Sequence, residues 1–100
     1  MTGKAAAVFV PSGTMANQIA LRALAGPGTS VVAGRRQHVV THEGGAFGVN
    51  QVAQLHLLDD DDGTLDPGEV AHLVEAAAHR WPAPSVVCIE DTHLASGGRP

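Results

Sequence analysis

Ala5-Ala-Ala-Val-Phe-Val-Pro-Ser-Gly-Thr-Met15 is the stretch on which the fold turns. The apolar residues 5–10 form a short continuous run that suits a strand buried on both faces, and Pro11-Ser12-Gly13 closes it. From Thr14 to Ala25, Met15, Ile19, Leu21 and Leu24 mix with alanines. Thr14, Gln18 and Arg22 recur every fourth residue along one stripe, which predicts a helix. Gly26-Pro27-Gly28 then stops it.

The same alternation continues downstream. Ser30–Ala33, Gln54–Leu58 and Val86–Ile89 are three further strand candidates, the last again a run suited to burial on both faces. His38–Phe47 predicts a weak helix interrupted by Gly44-Gly45. Asp59–Thr64 is expected to be a solvated loop. The clearest helix start follows it. Asp66 serves as N-cap, Pro67 takes the first helical position, and Glu69 closes an acidic variant of the capping box. Val70, Leu73, Val74 and Ala77 line one face, and Trp81-Pro82 ends the helix. Four strands with helices between them predict an α/β fold with a mostly parallel sheet. The chain stops at Gly98-Arg99-Pro100 with no helix to cover the last strand, which reads as truncation. Residues 1–100 are therefore expected to be a fragment of a larger domain, marginal or oligomeric in isolation because sheet edges stay open.

Bulk properties narrow the function. The 100 residues have room for one domain, and 44% hydrophobic with 16% charged residues is the composition of a folded soluble protein. A formal charge of -4, with acids concentrated in Asp59–Asp62, offers no basic stripe for nucleic acid. Cys88 is the only cysteine, so no internal disulfide forms, and a reducing cytoplasm fits. The apolar stretch at residues 5–11 is too short to span a membrane and lacks the flanks of a signal peptide.

Three clusters carry chemistry. At Ser12-Gly13-Thr14, two hydroxyls and several free backbone amides meet at the positive end of a helix dipole, a site sized for a phosphate. The plain alternative is that Ser12 only caps the helix. The turn is neither G-x-G-x-x-G, nor a Walker loop, nor the nucleophile elbow G-x-S-x-G. The second cluster is Gln37-His38-Val-Val-Thr-His42-Glu43-Gly-Gly45, where His38 and His42 would share a helix face. Val39 stands where the zincin pattern needs a glutamate, so no metal is expected. The third, Glu90-Asp91-Thr92-His93, follows the last strand at the edge where α/β sheets bind ligands. Its acids have turn capping as their plain alternative, and His56, His72 and His79 are read as surface residues.

In order and spacing these features resemble the threonine aldolase (β-eliminating lyase) family. The residues that carry the resemblance are Thr2-Gly-Lys-x-Ala-x-x-Phe-Val-Pro-Ser-Gly-Thr-Met-x-Asn17, His38 with Glu43-Gly-Gly45, Asp62-Gly-Thr-Leu65, Glu90-x-Thr-His93 and Gly97-Gly98. The resemblance implies the large domain of a fold-type-I pyridoxal-phosphate enzyme. It implies a lyase that cleaves a β-hydroxy-α-amino acid such as threonine to glycine and an aldehyde. By the same resemblance, Ser12, Gly13 and Thr14 hold the cofactor phosphate, and His38 stacks on the pyridine ring and moves a proton. The full-length parent would be a dimer or tetramer acting on a small amino acid. Asp91 stands where the family commonly has asparagine. His42 replaces a larger apolar or aromatic residue and is expected to support the site from behind. By the resemblance, the Schiff-base lysine, the aspartate on the pyridine nitrogen and the substrate-binding arginines would mostly lie further along the chain, and none is placed within residues 1–100. Lys4, the only lysine, precedes the first strand, so this chain alone is expected to be inactive. The competing readings are a non-catalytic incomplete domain, or another activity of the fold such as β-elimination or transamination.

Overall fold

A computed structural model describes residues 3–100. Its centre is β1 (Ser30–Gly34), flanked by β2 (Gln54–Leu58) and β3 (Pro84–Val87) in the order β2-β1-β3, with both pairings parallel. β1 is buried along its whole length because it has a neighbour on each edge and packing on both faces. Its Val31-Val32-Ala33 core requires that surrounding. Pro84 can open β3 because a strand's first residue has no obligatory ladder N–H to give.

Two expectations about strands are corrected. Residues 5–10 form no strand, and Phe9 is 93% exposed. A strand needs partners for its N–H and C=O groups, and among the described residues none pairs with this run. The last strand spans Pro84–Val87 rather than Val86–Ile89, and its burial alternates with Ile89 left exposed. As an edge of the sheet it is covered on one face only.

α1 (Gly13–Leu24) packs through Gln18, Leu21 and Ala25, whereas Met15, Ile19 and Leu24 face outward. Leu21 and Ala25 meet Val31 and Phe47 in the buried cluster, and Val39, Ala53, Leu55, Val86 and Cys88 pack around it. The weak helix divides into α2 (His38–Thr41) and α3 (Ala46–Asn50). Gly44 and Gly45 stand between them at φ 61° and 78°, a conformation that favours glycine. α4 (Pro67–Ala77) starts as expected: the Asp66 carboxylate accepts from Gly68 N at 2.6 Å and Glu69 N at 3.0 Å. Among the described residues no bond returns from the Glu69 side chain, so this is a cap rather than a reciprocal box. The helix also ends at Ala77, short of Trp81.

Because the strands are parallel, the segments that follow all three leave from one edge of the sheet. His38, Asp60, Glu90 and His93 gather there. Asp60 corrects the expectation of a wholly solvated acidic loop: its side chain is 1% exposed. It fits because Gly34 has no side chain; a Cβ there would lie 2.1 Å from Asp60 Oδ2.

Candidate functional site

The N-terminus of α1 is open. Ser12 Oγ accepts from Met15 N at 3.2 Å, which is the capping role its sequence position predicts. That bond leaves the Ser12 hydroxyl proton free. The N–H groups of Gly13 and Thr14 have no acceptor among the described residues, and a Cβ on Gly13 would meet nothing within 4 Å. Two amides and two hydroxyls at the positive end of a 12-residue helix thus face open space. The donor set fits a phosphate.

Three residues beyond Thr14, on the same helix face, Asn17 turns toward the second cluster. Its Nδ2 donates to Glu43 Oε1 at 2.7 Å, and Gln18 Nε2 donates to Glu43 Oε2 at 2.6 Å. The Gln18 side-chain oxygen Oε1 in turn accepts from Asn50 Nδ2 and Gln51 Nε2, which braces the end of α3 against α1. The other partner of Glu43 Oε1 is His38 Nδ1 at 3.0 Å. Burial alone would push the Glu43 carboxyl up, but the bonds from Asn17, Gln18 and His38, with the charge of His38, hold it below its ordinary value. It is an anion at neutral pH.

A second carboxylate holds the His38 main chain. Glu90 Oε2 accepts from His38 N at 2.5 Å, and Glu90 Oε1 accepts from Leu94 N at 2.9 Å. Glu90 therefore caps its own following turn and the start of α2 together. His38 is fixed at ring and backbone, yet its side chain stays 37% exposed. His42 lies against one face of the ring at a centroid distance of 5.5 Å, and its own Nδ1 is 2.6 Å from Thr41 Oγ1. His38 borders a cleft of about 420 Å³ with Asn17, Leu21, Val86, Cys88 and Glu90, and Asp91 at its rim. That is room for a small molecule. Burial, and then the nearby Glu43 charge, push the Cys88 thiol up, so it stays protonated.

His93 is turned away from this cleft. It is fully buried and its Nε2 lies 3.0 Å from Asp60 Oδ2. Both Asp60 oxygens also accept from Arg36 N, at 3.0 and 3.2 Å. The Arg36 guanidinium reaches Ala95 O at 2.8 Å, tying the acidic loop to the 3₁₀ turn at Leu94–Ser96. Among the described residues no three His, Cys, Asp or Glu side chains come together as metal ligands, and no helix is long and apolar enough to cross a membrane.

Of the residues singled out by sequence, Ser12, Gly13 and Thr14 sit together, and His38 is linked to their helix through Glu43 rather than by direct contact. In the sequence Glu43, Asn17 and Gln18 stand out only as parts of motifs or stripes. The signal that could have found them is a glutamate five residues after a histidine in a segment too glycine-rich to be one helix.

The beta-eliminating lyase family matches residues 1–100. Low-specificity L-threonine aldolase 1 of Arabidopsis thaliana is 35% identical to it, over 99% of this chain and 29% of that protein. The low-specificity L-threonine aldolase of Candida albicans is 37% identical over 92% of this chain and 26% of its own. The solved threonine aldolase of Leishmania major is similar with a TM-score of 0.71 at 28% identity, over 81% of this chain and 24% of that one. The chain spans about a quarter of the length of these relatives. With its motifs in order and an α/β architecture shared with a threonine aldolase, the chain belongs to the beta-eliminating lyase family.

Proposed function

We propose that residues 1–100 are part of the cofactor-binding large domain of a pyridoxal-phosphate-dependent lyase. Its reaction is the cleavage of a β-hydroxy-α-amino acid such as threonine to glycine and an aldehyde. The observation that carries this reading is the linkage of an open helix N-terminus to a half-exposed, doubly anchored histidine at the ligand-binding edge of the sheet. The similarity to threonine aldolases supports the choice of reaction.

The Gly13 and Thr14 amides, with the Ser12 and Thr14 hydroxyls, would hold the cofactor phosphate. The face of His38 opposite His42 would lie against the pyridine ring, and its imidazole would move a proton near neutral pH. When bound, pyridoxal phosphate supplies the electron sink for bond cleavage. Asp91 at the cleft rim places an acid where the family commonly has an amide, which bears on the substrate side chain. The lysine, aspartate and arginines of the family are assigned to the rest of the parent protein, as are its cytoplasmic location and its assembly as a dimer or tetramer.

The test is product analysis. The full-length protein supplied with pyridoxal phosphate and threonine or allo-threonine should give glycine and acetaldehyde in equal amounts. A 2-keto acid with ammonia would replace this reading with β-elimination, and a folded, cofactor-loaded protein that turns over neither isomer would overturn it.

A further inference from the structure

Glu43 is the most heavily bonded carboxylate of the site, and its bonding has a direction. Asn17 and Gln18 can offer only amide N–H groups to its two oxygens at these distances, and its side chain is 1% exposed. A carboxylate so surrounded has no proton to give. The 3.0 Å contact with His38 Nδ1 therefore has one polarity only: the imidazole donates and the carboxylate accepts. Nε2 of the same ring has no partner among the described residues.

We propose that Glu43 is a positioning residue, which fixes His38 as the Nδ1–H tautomer and so keeps the Nε2 lone pair directed to the reacting proton. The consequence rests on the reading of His38 as the proton-transfer residue; the tautomer itself rests on geometry alone. The arrangement gives a base oriented by a third group, the logic of nucleophile–base–orienter sites generally. The depressed ionisation of Glu43 agrees with it, because the anion is the form that only accepts hydrogen bonds. Glu90 and His42 complete the restraint: one holds the His38 backbone and the other one ring face, so rotation of the ring is opposed while its outer edge stays free.

Long-range ¹H–¹⁵N correlation spectra of the ¹⁵N-histidine-labelled full-length chain report the two ring nitrogens separately, and the signals lost in full-length His38→Ala identify the ring. At a pH where the ring is neutral, the wild-type chain should show His38 as Nδ1–H. Glu43→Leu removes the acceptor and offers no other, so the tautomer ratio should move toward Nε2–H by about tenfold, the weight of one hydrogen bond to a charged group. A predominantly Nε2–H ring in the wild-type chain overturns the proposal, and that spectrum decides even if the variant does not fold. An unchanged ratio in a folded Glu43→Leu chain also overturns it. Unchanged kcat in full-length His38→Ala would instead refute the catalytic reading and leave the tautomer result standing.

Discussion

His38 and His93 each face a carboxylate at 3.0 Å, at the same edge of the same sheet, yet the His38 side chain keeps 37% of its surface exposed and that of His93 only 1%. His38 uses Nδ1 and leaves Nε2 without a partner among the described residues. His93 uses Nε2 and leaves Nδ1 buried without a partner. The same two functional groups thus make two different devices. Where Arg36 N and Gly34 close around the Asp60 carboxylate that holds the imidazole, the pair locks the acidic loop to the tail. Where one ring edge is spared, the pair can act on a ligand. Exposure, more than residue type, separates a lock from a working site.

The largest expected effects set the two apart. His38→Ala in the full-length enzyme should lower kcat by roughly 10²–10⁴-fold with little change in thermal midpoint, since proton-transfer groups contribute on that scale. Near-wild-type kcat would reduce His38 to a packing residue. Asp60→Ala should do the reverse: it removes the acceptor for the buried His93 Nε2 and for Arg36 N, and each unsatisfied buried donor costs about 1–3 kcal/mol of stability, read by denaturant unfolding. A loss under about 1 kcal/mol, the range of exposed ion pairs, would show that the lock is not one.

Gly34→Ala tests the lock through its steric allowance. A Cβ that would sit 2.1 Å from Asp60 Oδ2 must displace the carboxylate, so a loss of about 1–3 kcal/mol is expected. Combined with Asp60→Ala the cost should be less than additive, because the clash partner is gone. A smaller effect belongs to Glu43. Its folded pKa lies below the ordinary value of 4.5, so its stabilisation is fully present above that value and is lost as pH falls through the depressed one. Glu43→Gln should therefore flatten part of the acid limb of the stability curve, and parallel wild-type and variant curves below pH 4.5 would contradict this.

Local signals were legible where the chain's own chemistry decides the outcome. Asp66-Pro67 starts α4 and Gly26-Pro27-Gly28 ends α1 because capping and proline geometry act within a few residues. The strands at Ser30 and Gln54 were legible from shorter and less regular apolar runs. Residues 5–10 misled because an apolar run states a preference for burial without supplying the neighbour that buries it. Gln18, in a polar stripe, proved buried because a carboxylate from a later segment reaches it. Asp60 could not be told from the three aspartates beside it. What selects it is the missing side chain of Gly34, on another strand. At the site, Ser12, Gly13, Thr14 and His38 stood out by motif, whereas Glu43 became central only when the fold brought Asn17, Gln18 and His38 around it.

The central claim, that this corner of the fold grips the cofactor through Ser12-Gly13-Thr14 and presents it to His38, is tested most directly by titrating pyridoxal phosphate into the full-length apo-enzyme and its Thr14→Val variant. Valine keeps the shape and removes one hydroxyl donor. A hydrogen bond to a charged group contributes roughly 1.5–3 kcal/mol, so the account predicts about a ten- to hundredfold rise in the cofactor Kd with the thermal midpoint nearly unchanged. Unchanged affinity, with stability lowered by about 1 kcal/mol, would mean that the turn only caps its helix and would contradict the claim.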